Sequence, residues 1–204
     1  MTVQAEPGVS AVDVAFAMQG SSLPRDYAQG LSRSLGEHLP WLADDGAAGI
    51  HPLKLVHGLQ AQALLSPRTR LLLRVPMRRW PELQTLSGAH LSVMGCSLTL
   101  GPPQIRPLLP HATLYAYKVA ANSADELAFM SGMQHELALL EIALAPVCGK
   151  HQQFSVTGGL LNTFSLMLHG LQPEQSLRLQ QRGLGPQRLL GCGIFVPHKS
   201  AAPV

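Results

Sequence analysis

Acidic residues are scarce over long stretches of this chain. Between Gly46 and Ala124 the only acid is Glu82, and none follows Glu174. The first stretch holds Lys54, Arg68, Arg70, Arg74, Arg78, Arg79, Arg106 and Lys118, and the second Arg178, Arg182, Arg188 and Lys199. Net charge is only +3, so the asymmetry lies in distribution, the footprint expected for a polyanionic partner. Cysteine is also scarce. Cys96, Cys148 and Cys192 are odd in number and far apart, which argues against a disulfide scaffold or a Cys-x-x-Cys metal site and points to a reducing cytoplasm. No apolar run approaches the ~20 residues that span a bilayer. The amino-terminal ten residues carry Glu6 and no basic segment, unlike a secretory signal.

Two nucleotide-binding signatures are missing as well. There is no Gly-Lys-Ser/Thr, and the carboxy-terminal glycines are not spaced as Gly-x-Gly-x-x-Gly between a strand and a helix. No His-Glu-x-x-His supports zinc, and no cofactor or metal is expected. Aromatics make up only 5%, leaving few rings to stack on bases. Hydrophobic residues at 46% supply a packed core and argue against disorder.

Periodicity divides the chain into two similar halves. Residues 10–19 read as a strand with Val12, Val14, Phe16 and Met18 on one face. Pro24 opens a helix whose stripe is Tyr27, Leu31, Leu35 and Leu39, and Pro40 ends it. His51–Leu59 and Arg70–Val75 read as strands, Trp80–Leu86 as a short helix, and 91–93 with 96–100 as a hairpin around Met94-Gly95. The second half gives a strand at Thr113–Val119 and a helix from the capping box Ser123-Ala-Asp-Glu126 to about Ile142. Strands at Pro146–Phe154 and Leu160–His169, a helix at Pro173–Arg182 and a closing strand at Gly191–Val196 complete it. Each half is βαββαβ. The expectation is an α+β protein of two tandem ferredoxin-like, RRM-like lobes, residues 1–104 and 105–204, joined near Pro102–Pro110.

The most informative segment runs Gly183-Leu-Gly185-Pro-Gln-Arg188-Leu-Leu-Gly191-Cys-Gly193-Ile-Phe-Val-Pro197-His198-Lys199. Two Gly-x-Gly pairs flank a basic residue and run into an apolar strand. Glycine permits positive φ and lets a phosphate approach the backbone amides. The plainer reading is that Gly183 caps a helix and the others shape a tight turn. With the approach Leu171-Gln-Pro-Glu-Gln-Ser-Leu-Arg178-Leu-Gln-Gln-Arg182, this loop resembles the glycine-rich loop of the CRISPR repeat-processing endoribonucleases, the "Cas six" branch of the RAMP superfamily, in its myxobacterial subtype. The tightest resemblance covers residues 160–199, and a looser one the whole chain.

The resemblance implies two ferredoxin-like lobes and a stem-loop CRISPR repeat RNA as partner, with other CRISPR effector subunits as further partners and no direct DNA or membrane contact. It implies metal-independent cleavage at the base of the stem, leaving a 2′,3′-cyclic phosphate. Gly183, Gly185, Gly191 and Gly193 with Arg182 and Arg188 are expected to grip the RNA backbone. Arg178, Lys199, Arg68, Arg70 and the other arginines up to residue 79 are expected to add sequence-independent phosphate contacts.

Such cleavage needs a base for the 2′-hydroxyl, an acid for the departing 5′-oxygen, and a cation or donor for charge on the phosphorane. Histidine suits the first two roles, but nine histidines make position decisive. Relatives with a similar first helix carry a histidine just past its end, after an aromatic-Leu pair and before acids and glycine. This chain has Trp41-Leu42-Ala43-Asp44-Asp45-Gly46, so Ala43 stands where the imidazole is expected. That departure reads as a natural loss, an engineered substitution or a transfer of the role. Tyr27 fits a second catalytic group that some relatives carry, or else core packing. His51 is the substitute histidine, at the start of a strand, where a structural role is also open. Two other functions remain in view. One is a non-catalytic RNA-binding subunit of a CRISPR effector. The other is a 2H-type phosphoesterase, suggested by His111-Ala-Thr113 and His198-Lys-Ser200.

Overall fold

The computed structural model describes residues 11–57 and 62–198. The chain divides into two compact units, Met1–Leu108 and Leu109–Val204, and both have the α+β, ferredoxin-like arrangement.

The first unit contains β1 (Ala11–Gln19), β2 (Ser22–Pro24), α1 (Ala28–His38), β3 (Gly49–Ile50), β4 (Val56–His57), β5 (Gln62–Leu64), β6 (Arg70–Pro76), α2 (Trp80–Gln84), β7 (His90–Val93) and β8 (Cys96–Pro107). Its main sheet has the order β3-β6-β1-β8-β7, every neighbouring pair antiparallel. β1 lies in the middle, which is why Val12, Val14, Ala15 and Phe16 are all buried. Leu31 and Leu35 of α1, on the apolar stripe that the helical spacing marked, are buried too, as is Leu83 of α2.

Three local expectations are corrected here. The first helix starts at Ala28, because Ser22–Pro24 instead pairs with β5 in a small β2-β5-β4 sheet. His51–Leu59 is not one strand: Val56–His57 pairs with β5, and Gly58 and Leu59 lie outside the described residues. Pro102–Pro107 is the end of β8, so the junction expected near Pro102–Pro110 narrows to Leu108 and Leu109. β7 pairs with β8 only up to Thr99, so Pro103 and Pro107 sit opposite β1 on a stretch whose other side has no strand among the described residues. An edge is where proline is tolerated in a sheet.

The second unit contains β9 (Thr113–Ala121), α3 (Glu126–Leu139), β10 (Val147–Val156), β11 (Gly159–His169), α4 (Pro173–Arg182) and β12 (Val196–Pro197). The antiparallel sheet order is β10-β11-β9-β12. Phe129, Met133 and Leu137 of α3 and Leu179 of α4 form one core with Leu114, Val119, Phe164 and Leu166. The Phe129 and Phe164 rings stack at 4.7 Å.

Two more expectations shift. The N-cap of α3 is Asp125, whose Oδ1 accepts from the amides of Leu127 and Ala128, while Ser123 Oγ only accepts from the Asp125 amide. The closing strand shrinks to Val196–Pro197, because positive φ at Gly191 (84°) and Gly193 (66°) breaks extended structure before it.

The glycines differ sharply in what they permit. A Cβ on Gly193 would lie 2.1 Å from the Leu184 carbonyl oxygen, at a φ that already strains any side chain. Gly36, inside α1, has open space around its Cβ position. Gly193→Ala should therefore cost at least about 2 kcal/mol, whereas Gly36→Ala should gain about 0.5–1 kcal/mol from helix propensity. Urea denaturation of the two variants beside the parent chain checks both signs.

Candidate active site

The turn after α1 is built from its ends. Leu42 is buried and anchors it, and the amides of Asp44 and Asp45 both donate to the Trp41 carbonyl at 3.1 Å. Ala43 lies on the outside of this turn, exposed, with helical dihedrals of φ −73° and ψ −29°. A histidine could occupy that backbone position without strain. Asp45 points the other way and is almost wholly buried. Its Oδ2 accepts from Arg78 Nη2 at 2.8 Å and Arg79 Nε at 3.2 Å, and its Oδ1 from the Ala47 amide. Arg79 also lies 4.5 Å above the Trp41 ring and bonds Glu82. Both ends of the turn that carries position 43 are thus fastened to one pair of arginines.

Tyr27 and His51 are held inward. The Tyr27 hydroxyl accepts the Leu53 amide at 2.6 Å. Burial pushes its pKa up to about 12, with the Leu53 amide opposing that shift, so it is a poor proton-transfer group near neutrality. His51 is buried, and its Nε2 sits 3.0 Å from Asp13 Oδ1. Asp13 also takes a two-pronged pair from Arg74, Nε at 2.8 Å and Nη2 at 2.9 Å. Arg74 is 1% exposed. The expected transfer of a catalytic role to His51 thus meets a residue committed to a buried charged triad. Burial alone would raise the Asp13 pKa, but the bonds from His51 and Arg74 outweigh it and hold the carboxyl well below the usual carboxylate range.

The glycine loop is packed from within. Gly183 caps α4 at φ 66°, and a Cβ there would strike Arg188 and the Gly193 carbonyl. Arg188 is buried. Its Nη1 donates to the Arg182 carbonyl at 2.7 Å and its Nη2 to the Gln181 carbonyl at 3.2 Å, which neutralises the open end of α4. All four glycine amides have internal acceptors. Gly183 donates to Leu179, Gly185 to Glu136 Oε2, Gly191 to Arg188 and Gly193 to Lys118. The expectation that these amides and Arg188 face a phosphate is corrected: close packing demands the glycines, and Arg188 ties the loop to its helix.

The remaining basic positions divide by exposure. Arg68 and Arg182 are exposed. Arg70 spends its Nη1 on the carbonyls of Pro67 and Thr69, closing the turn before β6. Arg178 pairs with Glu141. Lys118 is half-buried with its ammonium 4.3 Å from the centre of the Phe154 ring, and burial lowers its pKa. Lys199 and Ser200 lie outside the described residues. Of the 2H residues, the His198 amide bonds the Thr113 carbonyl and the His111 amide donates to Ser176 Oγ, so both are fixed through their backbones. Asp13 and Asp45 are the residues that sequence reasoning passed over. Asp45 was noted only as part of the segment around position 43, and Asp13 stands in an apolar strand far from any basic residue in the sequence.

A family model described as Cas6 CRISPR matches residues 12–200. This chain belongs to the Cas6 family. The CRISPR-associated endonuclease Cas6 of Myxococcus xanthus (strain DK1622) is 35% identical over 194 residues, which cover 95% of this chain and 84% of that protein. A solved structure of a CRISPR-associated protein Cas6 superposes with a TM-score of 0.70 at 9% identity, over 93% of this chain and 100% of the other. A RAMP protein described as binding different RNA substrates gives 0.57 at 10% identity, over 91% and 98%. These two likenesses carry the fold, and it is the Cas6 fold. Membership in Cas6, rather than the geometry of His111 and His198, displaces the 2H reading. No helix among the described residues is long and apolar enough to cross a membrane.

The Asp13 triad gives this Cas6 chain a testable acid limb. A carboxyl whose folded pKa is depressed contributes stability that is complete above its unfolded pKa and lost as pH falls through the folded one. Asp13→Asn should destabilise the chain by about 3–5 kcal/mol at neutral pH by leaving Arg74 buried without its charge partner. Below the usual carboxylate range the difference from the parent should shrink. Thermal unfolding at neutral and acid pH reads both, and a constant difference would rule out Asp13 as the source.

Proposed function

We propose that this chain binds the stem-loop of a CRISPR repeat in the cytoplasm and acts on it as a metal-independent endoribonuclease, with proton transfer weakened at position 43. The 2′-oxygen attacks the adjacent phosphorus while the bond from phosphorus to the 5′-oxygen breaks. A base takes the 2′-hydroxyl proton and an acid supplies one to the 5′-oxygen, giving a 2′,3′-cyclic phosphate and a 5′-hydroxyl. The nucleophile belongs to the substrate, so a metal ion is not needed to generate it. What supports the reading above all is 35% identity, over nearly the whole chain, to a protein named as an endonuclease of CRISPR.

The charge pattern is consistent with RNA. Arg68 and Arg182 are exposed and can reach phosphates, and the glycine loop follows Arg182 directly. The reading without cleavage, a binding subunit of an effector, draws on one observation: Ala43 carries no proton-transfer group at the position where relatives place histidine. Tyr27 and His51, tied to Leu53 and Asp13, are poorly placed to replace it.

Incubating labelled repeat RNA with EDTA separates the readings. The parent chain should bind tightly and cut slowly. Ala43→His should raise the single-turnover rate by at least about a hundredfold with little change in affinity, since one general acid or base is worth roughly 10²–10⁴ in rate. Tight binding with no cleavage in either form would favour the effector subunit. Brisk cutting by the parent, abolished in His51→Ala, would move the chemistry to His51.

A further inference from the structure

The arginine pair behind position 43 is asymmetric, and the asymmetry assigns different tasks to the two side chains. Arg79 is the more fully engaged: Nε on Asp45, Nη1 on Glu82, and its guanidinium over the Trp41 ring. Arg78 meets Asp45 through Nη2, and its side chain is 67% exposed. A guanidinium has five donors in a rigid fork, so one fastened at a single nitrogen keeps a directed cationic edge for a second anion. Asp45 is 4% exposed in its side chain and cannot itself reach that anion, so it fixes the fork without competing for the ligand. An exposed arginine on a free stem would lose rotamer entropy on meeting a phosphate. Arg78 has already lost much of it.

Its place in the fold gives the fork a target. Asp45, two residues after Ala43, closes the turn on whose outer side position 43 stands. The other end of that turn, Trp41, lies under Arg79. Position 43 and the carboxylate that holds Arg78 are thus two residues apart on one turn, which makes Arg78 the candidate for the cation needed as charge builds on the phosphorane oxygens.

We infer that Arg78, oriented by Asp45, binds the phosphate group that is presented to position 43, and that Arg79 anchors the clamp without touching RNA. This rests on the RNA-processing reading above. Arg78 is the ligand and Asp45 a positioning residue.

The test pairs a protein change with a phosphate change. A neutral methylphosphonate is walked through the linkages at the base of the repeat stem, with the neighbouring nucleotides made 2′-deoxy so that only binding is read. At one linkage it should weaken binding to the parent chain by about tenfold, the order expected for a charge-assisted contact. In Arg78→Gln that penalty should vanish while the other linkages keep theirs, and Arg78→Lys should restore part of it. Asp45→Asn retains both positive charges but releases the fork, so it should reduce the same penalty without altering the salt dependence of binding. Equal penalties in parent and Arg78→Gln at every linkage overturn the assignment and leave the RNA reading standing. Failure of the parent to prefer repeat RNA over an unrelated hairpin overturns the RNA reading itself, and this assignment with it.

Discussion

The first unit is organised around one buried carboxylate. Asp13 sits on the central strand directly opposite Arg74 on β6, and Arg74 is in turn opposite Gly49 on β3. Glycine at 49 brings no side chain into that row, and His51, two residues on, reaches Asp13 from the same strand end. Three strands are thereby locked in register by one anion. Register is what a one-residue slip destroys, since every side chain would change face. Taking these charges out of water is costly, and the pair alone does not guarantee net stability. Its consequence is specificity of register: any slip strands an unpaired arginine in the sheet.

The second unit solves a similar problem largely with backbone amides. Its last strand is only two residues long, so the sheet edge beside β9 must be held by what precedes it. The glycine loop does that holding. The Gly193 amide reaches the Lys118 carbonyl on β9, the Gly185 amide reaches Glu136 on α3, and Arg188 ties the loop back to α4. All four glycines have positive φ, and at Gly183 and Gly193 the backbone also passes too close to itself for a side chain. A loop so saturated can present a fixed outline to RNA, but its recognition must come from side chains around it.

Much of the fold was legible because it follows from local periodicity. Apolar patterning marked β1, β6 and β11, a helical stripe marked α1, a proline at the first turn marked α4, and the repeated βαββαβ order gave the two ferredoxin-like units. The corrections share a physical cause. Pro24 looked like a helix start, yet a pairing with β5 forty residues away claimed it. Gly191–Phe195 looked like strand, yet glycine dihedrals curl it. The site was legible only in part. Position 43 could be marked from its neighbours, but the partners of Asp13, Asp45 and Arg188 lie 61, 33 and 6 residues away. Nothing in a linear reading separates an arginine that faces solvent from one that neutralises a carbonyl. Arg74, Arg70 and Arg188 all counted towards a basic surface and all spend their charge internally.

That internal use changes what the charge asymmetry means. If every arginine of residues 68–79 reached outward, RNA affinity would come from a diffuse field, sensitive to salt and indifferent to position. Instead Arg74 serves the sheet, Arg70 closes a turn, Arg79 anchors the turn after α1, and Arg68 and Arg78 face water. On the proposed reading, a few positioned cations then do the work assigned to many. On that reading, binding and proton transfer also reside in separable parts. The clamp is fixed by a buried carboxylate and an indole, whereas position 43 is an outward side chain that the fold does not use. Alanine there costs no packing, and the arginine clamp is built without any contact from it. On the proposed reading, such a chain can lose its proton-transfer group and retain its grip on RNA, because stability constrains the clamp and leaves position 43 open.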